Sequence, residues 1–207
     1  MRRGYFGGTF DPPHVGHLMV ASDAFEALAL DRLTFVPNAR QPLKADAPSA
    51  DPALRLEMVR RAVAGDPRFD VDPIEVERGG TSYSVDTLEQ LAARHPADAR
   101  VFLVGADVGR SFPQWRAPAR IMALAQVAVL RRAVEEGEAD DASILAPFRT
   151  LAADGVAPPV IVRTRRVDVS STEVRDRVRH GRPLTGFVPD AVARFIAEHG
   201  LYHSALP

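Results

Sequence analysis

A chain of 207 residues, 46% hydrophobic and 26% charged, has the composition of a globular protein long enough to bury one substantial core. The 26 basic residues nearly cancel the 27 acidic ones, which argues against a wide nucleic-acid or membrane-binding surface, and the lack of cysteine excludes disulfides, thiolate metal sites and cysteine nucleophiles. No apolar run reaches the roughly 18 to 20 residues of a membrane span, and Arg2-Arg3-Gly4-Tyr5-Phe6 lacks the form of a secretory leader, so one cytoplasmic domain over residues 1–207 is expected.

In chain order, Tyr5-Phe6 ends a short apolar strand, a Gly/Pro-rich turn follows, and Leu18, Phe25 and Leu28 recur at helical spacing from about His14 to Leu30. Leu33 to Val36 reads as the next strand, Pro37 to Ala50 as a polar loop, and Asp51-Pro52 as the N-cap and first turn of a helix. The alternation continues with a strand from Phe69 to Ile74, a helix from Tyr83 to His95, a strand from Val101 to Val104, a helix from Ala119 to Ala125 and a strand from Val127 to Leu130. After the acidic stretch from Glu135 to Asp141 come a helix to about Ala152, a strand from Val160 to Val162, and closing helices near Thr172 to His180 and Val188 to His199. Strands alternating with helices imply parallel pairing through right-handed crossovers, and runs such as Val101 to Val104 suit a sheet covered on both faces. The expected fold is therefore a Rossmann-like three-layer α/β domain with a mainly parallel sheet and a helical C-terminal end, its ligands at the carboxyl ends of the strands.

Gly7-Gly8-Thr9-Phe10-Asp11-Pro12-Pro13-His14-Val15-Gly16-His17 lies in such a loop. Two glycines let backbone amides approach an anion, and the following helix adds free N–H groups and the positive end of its dipole. The segment has the spacing of neither the dinucleotide-binding G-x-G-x-x-G nor the G-x-x-x-x-G-K-[ST] phosphate loop, so hydride transfer and ordinary phosphoryl hydrolysis lose their usual warrant. His14 and His17, three apart at a helix start, can face one ligand and donate hydrogen bonds to phosphoryl oxygens as charge builds up. A capping and a packing role for the two rings is the plainer alternative.

His-x-Gly-His after Gly-Gly-Thr-Phe-Asp-Pro resembles the signature of the nucleotidyltransferase superfamily that shares its fold with class I aminoacyl-tRNA synthetases. Ser170-Ser171-Thr172-Glu173-Val174-Arg175 resembles that superfamily's second signature, Ser-x-Thr-x-x-Arg, in which hydroxyls, a helix N-terminus and Arg grip the ATP phosphates. A capping box at Ser170 and Glu173 accounts for part of the pattern and is compatible with phosphate binding, but it leaves Arg175 unexplained. Within the superfamily the chain is most similar to the bacterial nicotinate mononucleotide adenylyltransferases over nearly its whole length. That similarity runs through Thr81-Ser82-Tyr83-Ser84-Val85-Asp86-Thr87-Leu88, Gly105-Ala106-Asp107, Phe112-Pro113-Gln114-Trp115 and the ending from Phe195 to Tyr202.

The resemblance implies in-line attack by the mononucleotide 5′-phosphate on the α-phosphorus of ATP, with His14, His17, Lys44 and Arg175 holding phosphates. Gly7, Gly8, Thr9, Phe10, Gly105, Asp107, Arg131, Ser170 and Ser171 would complete the ATP site, although the adjacent Arg132 competes with Arg131 for the place near the adenine. Trp115 would stack on the pyridine ring, Thr81, Ser82 and Tyr83 would supply donors to its carboxylate, and Lys44 would meet the mononucleotide phosphate. Each has a plainer reading: a core tryptophan, N-caps at Thr81 to Tyr83 and Asp107, and a solvated charge at Lys44. Leu43 departs from the family, which usually has His at that place. Mg²⁺ would accompany ATP as cofactor, bridging its oxygens, with no protein metal ligands assigned. ATP and nicotinate mononucleotide are the expected partners, and a homo-oligomer is left open. A related acceptor such as phosphopantetheine, or a non-catalytic nucleotide-binding module, are the competing functions.

Overall fold

The computed structural model describes residues 1–42, 50–132, 141–151 and 155–203. Its elements are β1 (Arg2–Gly8), α1 (Val15–Ala27), β2 (Arg32–Pro37), α2 (Pro52–Val63), β3 (Phe69–Val71), α3 (Ile74–Arg78), α4 (Ser84–Arg94) and β4 (Ala99–Gly105). These are followed by α5 (Ala106–Gly109), a 3-10 turn (Phe112–Gln114), α6 (Pro118–Leu124), β5 (Gln126–Arg132), α7 (Asp141–Arg149), β6 (Val160–Thr164), α8 (Ser171–Arg179) and α9 (Asp190–Glu198).

The strands form one six-stranded sheet in the order β3-β2-β1-β4-β5-β6, with every pair parallel. Successive side chains on a strand point to opposite faces, so the unbroken apolar runs feed two cores. Phe102 and Val104 pack with Val127, Val129, Leu88 and Ile121 on one side. Val101 and Leu103 pack with Ala128, Leu130, Leu33 and Phe35 on the other. A third cluster joins α2, α8 and α9 through Met58, Val174, Val178, Val192 and Phe195 and fixes the C-terminal helices against the body. This is the three-layer α/β architecture expected from the sequence.

Two boundaries move for identifiable reasons. The first helix stops at Ala27, and Ala29 turns left-handed with φ 46°, although the apolar spacing runs on to Leu30. Leu30 is still buried because Gly4 makes room for it: a Cβ there would lie 2.6 Å from Leu30 Cδ1. The strand expected over 69–74 ends at Val71. Asp72 Oδ1 accepts the Ile74 N–H at 2.9 Å, Pro73 cannot donate to a ladder, and Ile74 is buried as the first residue of a short helix.

From β1 the chain winds one way through β2 and β3, then returns to the opposite side of β1 for β4, β5 and β6. The carboxyl ends of β1 and β4 therefore flank a crevice, the place where open parallel sheets bind ligands. Gly7-Gly8 and Gly105 stand at its mouth.

Candidate active site

The turn after β1 is held in a conformation that its residue types make understandable. Phe10 is left-handed at φ 49°, and its ring folds back over Gly8, where a Cβ would meet the ring at 2.7 Å. A non-glycine residue in that region is uncommon, and burial of the Phe10 ring against Phe6, Phe35 and His17 holds it there. Thr9 Oγ1 accepts from Asn38 Nδ2 at 3.2 Å and donates to Gln41 Oε1 at 3.2 Å, tying this turn to the loop after β2.

Arg55 on α2 makes the same connection from below. It is fully buried, and its guanidinium donates to the carbonyls of Thr9 at 2.6 Å, Asn38 at 2.8 Å, Ala39 at 3.0 Å and Ala50 at 3.1 Å. One planar fork thus satisfies carbonyl groups from both loops, which buried backbone requires.

His14 and His17 open α1 with their rings stacked at 3.7 Å between centroids. Gly16 permits this: a Cβ there would lie 2.9 Å from His14 Nδ1. His17 Nδ1 accepts the backbone N–H of His14 at 3.2 Å, whereas His14 Nδ1 is buried without a partner. Burial lowers the His14 pKa to about 4, with the nearby Arg132 charge adding to the effect, and burial followed by His14 holds His17 well below the ordinary value. Both rings are therefore neutral near pH 7.

The helix carrying the second signature docks onto the first. Ser170 caps α8 by accepting the Glu173 N–H at 3.1 Å, so the capping reading of that residue is realised. Ser171 donates to Pro12 O at 2.9 Å, and Arg175 reaches Asp11 O at 2.7 Å and Thr172 Oγ1 at 3.2 Å while its Nε is buried without a partner. Asp11 in turn accepts from Ala50 N and, at 2.8 Å, from the Tyr202 hydroxyl. The two signatures and the C-terminal segment thus meet at Asp11-Pro12.

At the other end of the crevice Trp115 is half-buried, with its edge and face against Phe102 and Phe112 and its Nε1–H donated to Ser111 at 3.3 Å. Tyr83, at the start of α4, lies under the Arg116 guanidinium at 4.8 Å, and Arg116 pairs with Asp86 at 3.2 Å. Among the described residues no side chain caps this helix, so its first N–H groups keep their capacity to bind an anion.

A single cavity of about 1050 Å³ spans both ends. Of the residues expected from the sequence, Gly7, Gly8, Thr9, Phe10, His17, Gly105, Asp107, Ser171 and Arg175 line it towards the phosphate signatures, and Ser82, Tyr83 and Trp115 line it towards α4. The Asp107 carboxylate sits over Gly105, 2.7 Å from where a Cβ would be. His14, Ser170, Thr81 and Arg131 do not line the cavity. His14 lies behind His17, Thr81 is exposed and bridges to Arg40, and Arg131 pairs with Asp141, which also holds Arg163. Lys44 and Leu43 lie outside the described residues. Asn38, Gln41, Glu75 and Thr172 line the cavity without having been singled out. Asn38 follows β2, where the strand-end rule points, and Thr172 stands inside the second signature.

A glycine turn leading into paired neutral imidazoles, met by a second helix start at the switch point of a parallel sheet, defines a nucleotidyltransferase of the cytidylyltransferase-like family, whose model matches residues 5–177. Within that family the chain belongs to the nicotinate-nucleotide adenylyltransferases. It is 46% identical to a protein of Gemmatimonas aurantiaca named "Probable nicotinate-nucleotide adenylyltransferase", over 98% of this chain and 92% of that one. A protein of the same name from Thermus thermophilus is 42% identical over 98% of this chain and 100% of its own length. Among solved structures, the nicotinic acid mononucleotide adenylyltransferase of Plasmodium falciparum complexed with NaAD superposes with a TM-score of 0.74 over 97% of each chain; at 16% identity it speaks for the fold alone.

Proposed function

We propose that this protein transfers the adenylyl group of ATP to nicotinate mononucleotide, giving nicotinate adenine dinucleotide and pyrophosphate, as a step of NAD biosynthesis in the cytoplasm. The observation that carries this reading is the continuity of one cavity from His17, Thr172 and Arg175 at one end to Tyr83 and Trp115 at the other. Two substrates that must exchange a phosphoryl bond need such a shared space.

In this reading a 5′-phosphate oxygen of the mononucleotide attacks the α-phosphorus of ATP. The new P–O bond forms as the bond to the β-phosphate oxygen breaks, and pyrophosphate leaves without a covalent enzyme intermediate. The protein then aligns the groups and stabilises charge. His17 donates from Nε2, because its Nδ1 already accepts from His14. His14 packs behind it and keeps it neutral and oriented. Arg175, Ser171 and Thr172 face the phosphates across the cavity, and Lys44, outside the described residues, is assigned to the mononucleotide phosphate from the sequence.

Among the described residues no three His, Asp or Glu side chains converge as a metal-binding group. A Mg²⁺ ion carried mainly by ATP oxygens and water would need only one or two protein carboxylates. Asp107 would hold it or its water, since Asp11 is engaged by Tyr202 and Glu75 by Thr87. Bound there, the ion would supply countercharge to the leaving pyrophosphate.

Incubation with MgATP and either nicotinate or nicotinamide mononucleotide, following pyrophosphate and dinucleotide, tests the reading. Faster product from the nicotinate form is expected; no product from either would send the search to another acceptor.

A further inference from the structure

Glu75 has no part in the mechanism above, yet its carboxyl is buried in the wall of the acceptor end of the cavity, among Ser82, Tyr83, Ser84 and Thr87. The Thr87 hydroxyl donates to Glu75 Oε1 at 2.6 Å, in preference to Tyr83 O at 3.3 Å. Ser82 Oγ also accepts the Ala39 N–H at 3.0 Å, and Thr87 Oγ1 accepts from Arg78 Nη2 at 3.0 Å. Arg40 O receives the Ser82 N–H at 2.9 Å. The carboxyl therefore ties α3 to α4, while Ser82 ties the 81–83 segment to the loop after β2.

Counting protons sharpens what this network does. A hydroxyl has a single proton to give, and that of Thr87 goes to Glu75. The Thr87 side chain is then not free to donate to a carboxylate on the acceptor, whatever its position in the wall. The donors at this end include the backbone N–H groups at the start of α4, whose direction depends on where the 81–83 segment is held. That segment follows Gly79 and Gly80, both left-handed at φ 69° and 67°, a stretch with no intrinsic preference to stay in one place.

We propose that Glu75 is a specificity-determining positioning residue: by taking the hydroxyl proton of Thr87 it fixes the α4 N-terminus against the pyridine substituent of the acceptor, so that backbone N–H groups read that substituent. Burial raises the Glu75 pKa, opposed by Thr87, Ser82 and Arg78, so its charge is largely spent inside the network and does not confront an incoming carboxylate. An acceptor bearing a carboxylate gains from several N–H groups and the helix dipole, whereas an amide presents its own N–H₂ to the same donors and gains less.

The inference rests on the proposed function, and its test separates the two. Steady-state kinetics of the full chain with MgATP and each mononucleotide are compared for wild type, Glu75→Ala and Glu75→Gln. Loss of buried hydrogen bonds of this kind should raise the KM for nicotinate mononucleotide about 10-fold in Glu75→Ala and lower the nicotinate-to-nicotinamide kcat/KM ratio, with the ATP KM within about 2-fold. Glu75→Gln, whose carbonyl still accepts one hydroxyl, should recover part of both effects. If the alanine variant does not fold, the glutamine variant carries the test with the same split between acceptor and ATP. An unmoved acceptor KM, an unchanged ratio, or equal rises in both KM values would overturn the inference alone. Wild-type protein that makes dinucleotide from neither mononucleotide would overturn the functional reading and this inference with it.

Discussion

The Nδ1 atom of His17 lies 3.2 Å from the backbone nitrogen of His14 and accepts its N–H. Because a neutral imidazole carries one proton, this bond assigns it to Nε2, and the cavity-lining ring becomes a fixed hydrogen-bond donor. Such a donor matters most when charge accumulates on phosphoryl oxygens. His17→Ala should therefore lower kcat by roughly 10²- to 10³-fold while the ATP KM moves only a few-fold. Unchanged turnover would remove His17 from the mechanism.

The second prediction concerns the opposite end of the cavity. Trp115 presents a surface that Phe102 and Phe112 support from behind, and its polar Nε1–H is already satisfied by Ser111. Removing it should leave the phosphate signatures intact and weaken only the acceptor. Stacking of this type is worth about 1 to 3 kcal/mol, so Trp115→Ala should raise the mononucleotide KM roughly 10- to 100-fold with little change in the ATP KM. Equal effects on both substrates would assign Trp115 to the core.

How much of this site could be read beforehand depends on the kind of signal each residue leaves. The six strands and the long helices were legible because their apolar spacing is local, and Gly7-Gly8, His14, Gly16 and His17 announce themselves because close backbone approach and imidazole pairing need those residue types at that spacing. Direction was harder to read. Arg131 and Arg132 are neighbours on a strand and so point to opposite faces; only the fold shows that Arg131 turns to Asp141 while the charge of Arg132 is felt by His14. Arg55 and Glu75 were invisible for a different reason. Their partners lie in other elements, up to 46 residues away for Arg55 and Thr9, and an arginine or glutamate inside a helix looks the same in sequence whether it is solvated or buried. The short helices α3 and α5 left too few turns to show a period.

Acid stability gives a third prediction. Burial holds His14 at about 4, against an ordinary value of 6.5, and lowers His17 as well. Between those values the unfolded chain binds protons that the folded chain refuses, so stability falls as pH drops from about 6.5 and levels off near the folded pKa, a loss of roughly 3 kcal/mol from His14. Glu75 acts in the opposite sense, because its raised pKa lets the folded chain take up a proton sooner, but it does so equally in wild type and variant. Melting temperatures measured from pH 7 to 4.5 should decline less steeply for His14→Gln than for wild type, and parallel curves would refute the assignment. ATP phosphates beside the rings should raise both values, so stabilisation by ATP should grow as pH falls.

Arg55 distinguishes a shared framework from two independent subsites. Its guanidinium serves the Thr9 carbonyl in the turn after β1 and the Asn38 and Ala39 carbonyls in the loop after β2, with a further contact to Asn38 Oδ1 at 3.4 Å. Lysine offers three donors from a single point and cannot span that set, so Arg55→Lys must leave carbonyl groups of one loop or the other unpaired in the interior. Each costs about 1 to 3 kcal/mol, which for a chain of this size corresponds to a fall of roughly 5 to 10 °C in Tm. The kinetic signature is the stronger test. Trp115→Ala should affect the acceptor alone, and His17→Ala chiefly turnover, but slackening the clamp should raise the ATP and mononucleotide KM values together, because Thr9 and Asn38, both held by Arg55, line the same cavity. A rise confined to one substrate would mean that the loops are positioned separately and that Arg55 only fills the space between them.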